Sequence, residues 1–302
     1  MSLPIEVVAE VQEYRADVRD TAPGIGLGNS RYRTVIQPRP GWRAIDLREL
    51  WKYRELLYFM VWRDVKVRYK QTVLGALWAI LQPVMSMLVF SIFFGRFGGM
   101  EKNVAVPYPI FVFAGLLPWQ FFNSAVSAAA SSLVGGASLL SKVYFPRLLF
   151  PISSIGHGLV DLCVASSILI VLMVYYGVAF SISLLLLPIF ALGIAVTAMG
   201  IGSLLAALTV VYRDFRYVVG FFIQLWMFAS PVVYPLAVVP EKYRVVYALN
   251  PMVGWIAGFR SAVLNEPIPW LYVAISGLVT CILLVAGVFY FRRVERRFAD
   301  II

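Results

Sequence analysis

Runs of roughly 20 or more mostly apolar residues recur along this chain, and that length is what an α-helix needs to cross the hydrocarbon core of a bilayer. Six can be marked, at about Thr72–Phe94, Pro107–Leu133, Ile152–Tyr176, Leu184–Val211, Phe215–Tyr234 and Trp270–Phe291. Inside lipid no water is at hand for a bare peptide group, so such segments must be helical. The pattern predicts an all-α polytopic membrane protein with six transmembrane helices. At 61% hydrophobic and 14% charged residues, with mean hydropathy +0.81, an ordinary soluble globule is excluded.

The formal charge of +10 would suit nucleic acid, but its positions do not. The cations gather beside the ends of apolar runs. Arg63, Lys66, Arg68 and Lys70 precede the first; Lys142 and Arg147 follow the second; Arg213 and Arg216 follow the fourth; Arg292, Arg293, Arg296 and Arg297 close the last. The alternate connections carry fewer cations or mix them with Glu101, Glu241 and Glu266. By the positive-inside rule both termini are cytoplasmic, with no nucleic-acid partner. Residues 1–40 read as a polar, partly disordered cytoplasmic extension without the apolar core of a signal peptide, and 41–302 as the membrane domain. Cys163 and Cys281 lie within apolar runs, and neither a disulfide framework nor a metal site is expected.

Three connecting segments have patterns of their own. From Asp46 to Val65, apolar residues including Leu50, Trp51, Tyr58 and Trp62 alternate at helical spacing with Arg48, Glu49, Lys52 and Glu55. This predicts an amphipathic helix lying in the membrane interface, followed by a basic turn into the first span. Ser138–Pro151 is basic and aromatic, is broken by Pro146 and Pro151, and carries Tyr144, Phe145 and Arg147. It is either an anchor for another protein or an interfacial turn touching lipid. Tyr243–Leu264 is too charged, and too broken at Asn250-Pro251, to span. Two half-length helices dipping into the outer leaflet fit it, beside an external amphipathic helix as the alternative.

Ionisable residues within the spans are few. His157 and Asp161, four apart, are placed to pair on one helix face, either structurally or as part of a proton relay. Phosphate-loop, zinc-protease and serine-hydrolase signatures are all missing, so no nucleotide chemistry or covalent catalysis is expected of this chain. Aromatic residues are abundant at 15%. Trp78, Phe90, Phe113, Trp119, Phe222, Trp226 and Tyr234 are candidates to line an aqueous path, where ring faces would stack on sugars, or else to face lipid.

RDVKVRYKQ at 63–71 running into LGALWAILQP at 74–83, then YFPR at 144–147, VYRDF at 211–215, SPVVYP at 230–235, NP at 250–251 and ERRFADII at 295–302 form an ordered series. The series resembles the membrane subunit of ABC-2-type exporters, in the polysaccharide branch that moves O-antigen, capsule and teichoic acid. The resemblance implies a homodimer with two separate ATP-binding subunits, which would bring MgATP; this chain itself needs no cofactor. It implies that the interface helix is a gate helix and that Tyr144, Phe145, Pro146 and Arg147 belong to a coupling helix seated in the ATP-binding subunit. It also implies a channel between the two membrane subunits for a lipid-linked glycan, in a bacterial inner membrane. Trp51, Arg63, Lys66 and Arg68 would then meet the glycan's pyrophosphate headgroup or serve only as topogenic charge. A small-molecule ABC-2 exporter, a membrane-embedded enzyme and a passive channel are the alternatives.

Overall fold

The structure, a computed structural model, describes residues 47–70, 75–140, 145–212 and 214–295, and all regular structure among them is helical. The N-terminal extension and the final ERRFADII run beyond Glu295 lie outside the described residues. In chain order the α-helices are α1 (Leu47–Lys52), α2 (Arg54–Lys70), α3 (Gly75–Phe90), α4 (Tyr108–Gly135), α5 (Ala137–Leu140), α6 (Leu149–Tyr175), α7 (Leu187–Val211), α8 (Phe215–Phe228), α9 (Glu241–Tyr247), α10 (Pro251–Leu264) and α11 (Trp270–Glu295). A π-helical stretch, Ser91–Phe97, continues α3, and a 3-10 turn, Ile182–Leu186, leads into α7.

Helix α4 is the centre of the molecule, packed against α3, α6, α7, α8 and α10. Its most apolar window has a mean hydropathy of 1.3, against 2.0 to 2.4 for the other long helices, and 78% of that window is buried. The least apolar long helix is thus the one most shielded from lipid. Its 28 residues give a rod about 42 Å long, so it has two well-separated ends. The first turns around Tyr108 meet α10 and the loop after α8; the last turns around Leu133 meet Met60 of α2, the segment Phe145–Phe150 and Phe291 of α11.

Lipid tails solvate leucine as well as a protein interior does, so these helices associate through close packing and polar contacts between them. Helices α7 and α11 touch backbone to backbone: a Cβ on Gly287 would collide with the Gly200 carbonyl. The Thr197 and Thr280 hydroxyls share a 2.8 Å hydrogen bond beside them, and the Trp255 indole of α10 donates to Thr280 at 3.0 Å.

Among the described residues five helices are long and apolar enough to cross a bilayer: Leu77–Phe97, Tyr108–Gly135, Leu149–Tyr175, Ile182–Val211 and Trp270–Glu295. The run expected to span Phe215–Tyr234 departs from that pattern. Helix α8 stops at Phe228 after 14 residues, about 21 Å against a hydrocarbon core of about 30 Å. Ser230-Pro231 and Pro235 follow, and proline can neither continue a helix nor donate to it. The break expected at Asn250-Pro251 is present. The Asn250 side chain accepts from Met252 N at 3.0 Å as N-cap, Pro251 takes the first helical position, and Asn265 ends α10 in the left-handed conformation at φ 59°. All residues of α10 are buried, so this half-length helix sits inside protein.

Candidate functional site

The helix expected in the membrane interface is longer and more interrupted than its sequence stripe suggests. It turns at Tyr53 between α1 and α2, and α2 runs on to Lys70, so the expected basic turn is helical. One face of α2 packs inward: Met60 is 3% exposed, and Val61 lies over Gly156 of α6. On the other side Tyr58, Phe59 and Trp62 are 54–63% exposed, and Trp51 on α1, which carries the Arg54 guanidinium over its ring at 5.6 Å, is 70% exposed. Exposed aromatics beside cations suit the headgroup region of a membrane.

Within the basic cluster, Arg63 pairs with its neighbour Asp64 at 2.8 Å, and Lys66 is exposed. Arg68 reaches Asp161 of α6 at 3.0 Å, and the Tyr69 hydroxyl donates to the same carboxylate at 2.5 Å. Burial, then the hydrogen bond to Asp161, then that residue's charge push the Tyr69 pKa above its ordinary value. Asp161 therefore binds the interface helix rather than His157, which is buried on α6 with no partner for Nδ1.

A cavity of about 60 Å³ opens beside this link, lined by Arg68, Gln82, Gln120, Asn123, Ser124 and Asp161, among others. It has room for a few waters and polar groups to hold them. Asn123 accepts from Ser127 at 3.2 Å. Four polar side chains from α3 and α4 thus meet the end of the interface helix within an otherwise apolar bundle. Tyr69, Gln82, Gln120 and Asn123 are not among the sequence candidates, although three of them are amides inside apolar runs, which is itself a signal.

The coupling segment is built differently from the expectation. Tyr144 lies outside the described residues, and the described part from Phe145 to Leu148 is not helical. Phe145 is 3% exposed, its ring 5.5 Å from that of Phe150, within the cluster of Met60, Leu133 and Phe291. It is an internal wedge and not a surface anchor, because the turn at Pro146 points it inward. Pro146 is buried, and Arg147, half-buried, donates to the main-chain carbonyl of Glu295 at the end of α11.

The aromatic candidates separate by burial. Phe113 and Trp119 are 0% and 2% exposed, walled by the chain's own helices because they sit on the central α4. Trp78 and Phe222 are 54% and 62% exposed. Phe90 is half-buried, its ring 5.7 Å from that of Phe94. Trp226, half-buried, packs edge-on to Phe122 and donates to Asn250 at 2.9 Å; Tyr234 donates to Phe228 O and shares a 2.7 Å hydrogen bond with Tyr247.

A helical bundle with several bilayer-length helices, one of them tied to a helix bearing exposed aromatics, and a buried half-length helix is a multi-pass membrane protein. Residues 55–264 match the ABC-2 type transporter family, and the chain belongs to it. The chain is 33% identical over 225 residues to the O-antigen export system permease protein RfbA of Myxococcus xanthus, covering 74% of this chain and 85% of the relative. It is 30% identical over 251 residues to the protein of the same name from Klebsiella pneumoniae, covering 82% and 95%. To the polysialic acid transport protein KpsM of Escherichia coli it is 25% identical over 228 residues, covering 72% and 86%.

Proposed function

We propose that this chain is the permease subunit of an ATP-driven exporter that carries a lipid-linked polysaccharide from the cytoplasmic side across a bacterial inner membrane. It works as a homodimer with two copies of an ATP-binding subunit, which bring MgATP. The geometric observation that carries this reading is the elbow. An interface helix with exposed aromatics and cations is joined through Arg68 and Tyr69 to Asp161 on a spanning helix. Movement of that helix at the membrane surface is thereby passed into the bundle. The relatives' names, for O-antigen in two organisms and polysialic acid in a third, support a glycan as cargo.

In this reading α8 and the loop behind it cross the bilayer together. Non-helical backbone at depth is tolerated where protein surrounds it, and a sixth crossing keeps both termini in the cytoplasm. Arg63 and Lys66, at the exposed surface of α2, meet the pyrophosphate of the carrier lipid, with Arg68 behind them. Trp78 and Phe222 offer exposed ring faces to the glycan. An ATP-binding subunit seated on the segment of Arg147 would press on the wedge of Phe145.

Tagged chain purified in mild detergent from its own host is expected to bring down an ATP-binding subunit in equal amount, and the eluate to hydrolyse ATP. In cells lacking the chain, lipid-linked glycan should accumulate on the cytoplasmic side. Purification of the chain alone, with normal surface glycan in its absence, would sink the proposal. Arg63→Glu that inserts normally and exports normally would remove the headgroup role alone.

A further inference from the structure

The loop 229–235 at the Tyr108 end of α4 is non-helical, and its carbonyls are taken by side chains from other elements. Asn250 donates to Ala229 O at 2.8 Å, and the Tyr108 hydroxyl to Val233 O at 2.5 Å. Between them Arg260 of α10 donates through Nη2 to both Pro231 O and Val232 O at 2.6 Å, and through Nη1 to Tyr234 O at 3.4 Å. Arg260 is 4% exposed and lies 3.9 Å from the centre of the Phe111 ring. Among the described residues no carboxylate lies within ion-pair distance of it. Gly115, one turn beyond Phe111, leaves the space that the guanidinium fills.

Neutral donors satisfy the carbonyls on either side, so filling hydrogen-bond needs does not require a cation here. A buried charge with no carboxylate in contact, offset only by the more distant Glu266, costs far more than an amide or a phenol. What arginine adds is a planar group whose Nη2 holds two carbonyls and whose Nη1 reaches a third while its face lies on an aromatic ring. The loop, α4 and α10 are thus held at a single group, and the grip forms or fails as a unit. Beyond it the loop ends in Tyr234, whose hydroxyl meets that of Tyr247 on α9 at 2.7 Å.

We propose that Arg260 is a positioning residue for transport: it clamps the 229–235 loop so that the Tyr234–Tyr247 pair seals the Tyr108 end of the path between transport events. The inference rests on the export reading above and adds to it which residue holds the seal.

The test uses the permease reconstituted with its ATP-binding partner in liposomes loaded with carboxyfluorescein, without nucleotide. Arg260→Met is expected to leak dye about tenfold faster than the unaltered complex, the effect of losing roughly one well-made polar interaction from a closed state. Arg260→Lys, whose single nitrogen can serve the Pro231 and Val232 carbonyls but not Tyr234 O as well and has no planar face for the Phe111 ring, should fall between the two. A merely structural role would lower the amount of complex but would not raise leak per complex. If Arg260→Met fails to accumulate, Tyr247→Phe carries the test, since it breaks the seal and leaves the cation in place. Liposomes as tight as those of the unaltered complex in whichever variants accumulate would overturn the clamp. Absence of ATP-dependent glycan transport by the unaltered complex would overturn the export reading and leave the leak comparison standing.

Discussion

Arg68, beside the middle of the central helix at Gln120–Ser124, and Arg260, beside its first turns at Phe111 and Gly115, solve the same problem in opposite ways. Arg68 keeps 43% of its side chain exposed and meets a carboxylate, Asp161, that is itself only 15% exposed. Arg260 is 4% exposed and meets three backbone carbonyls and a ring. At the first site charge neutralises charge where solvent reaches Arg68, and the pair can part and re-form at low cost. At the second a charge is held by dipoles inside protein, where nothing can replace them. The lesson is mechanical: a solvent-screened pair can yield by itself, whereas the buried group lets go only when several contacts fail together.

The largest expected effect breaks the buried site. Gly115→Ala would put a Cβ 2.5 Å from Val232 O and against the Arg260 guanidinium. Neither obstacle can swing away, since one is backbone and the other is held from three sides. The cost is expected to be about 3 kcal/mol, at the upper end for overpacking a dense core. Thermal unfolding of the purified complex should show it as a clear fall in midpoint, and an unchanged midpoint would mean that the guanidinium yields and the clamp is soft.

At the elbow the matching change is smaller. Asp161→Asn removes the charge that faces Arg68 while leaving an acceptor for Tyr69. Because Arg68 is well exposed, solvent screening holds the loss to on the order of 1 kcal/mol. The difference between Asp161→Asn and the unaltered protein should shrink as salt rises, whereas the effect of Gly115→Ala should not. Equal salt dependence at both sites would erase the distinction between them. Gly156→Ala should cost less again, below about 1 kcal/mol, because its Cβ would meet Val61 methyls at 2.6 Å on a surface helix that can shift.

The sequence carries one kind of information about these two sites and withholds another. Helix α11 begins at Trp270 as expected and extends four residues past Phe291, and the start of α10 follows from Asn250-Pro251, because both depend on local composition and capping. The partner of Asp161 lies 92 residues away on α2, so helical spacing could offer only His157, four residues along the same helix. Phe145 reads as an exposed anchor until the turn at Pro146 is seen to drive it inward. Phe113 and Trp119 share the composition of lipid-facing aromatics, and only the placement of α4 at the centre buries them. The non-helical end of the fifth apolar run shows the same limit: its prolines are plain in the sequence, but the side chains that satisfy its carbonyls come from three other places in the chain.

The smallest effect separates the sites by pH. Tyr69, on the interface helix and outside the five long helices, and Tyr247, on α9, both have pKa values raised above the ordinary tyrosine value, burial being the leading cause in each. A raised phenol favours the neutral form in the folded state. Its contribution is therefore complete below the unfolded pKa of about 10 and is lost as pH climbs through and beyond that value. Asp161 is the second cause at Tyr69, and at Tyr247 it is the neutral hydroxyl of Tyr234. Unfolding midpoints of Tyr69→Phe and Tyr247→Phe between neutral pH and the alkaline limit should each fall less steeply than those of the unaltered protein. Combining Tyr69→Phe with Asp161→Asn should add less to that flattening than the two changes do separately, because one carboxylate serves both. Full additivity would mean that the Tyr69 phenol is held by burial alone and that the elbow is two separate contacts instead of one joint.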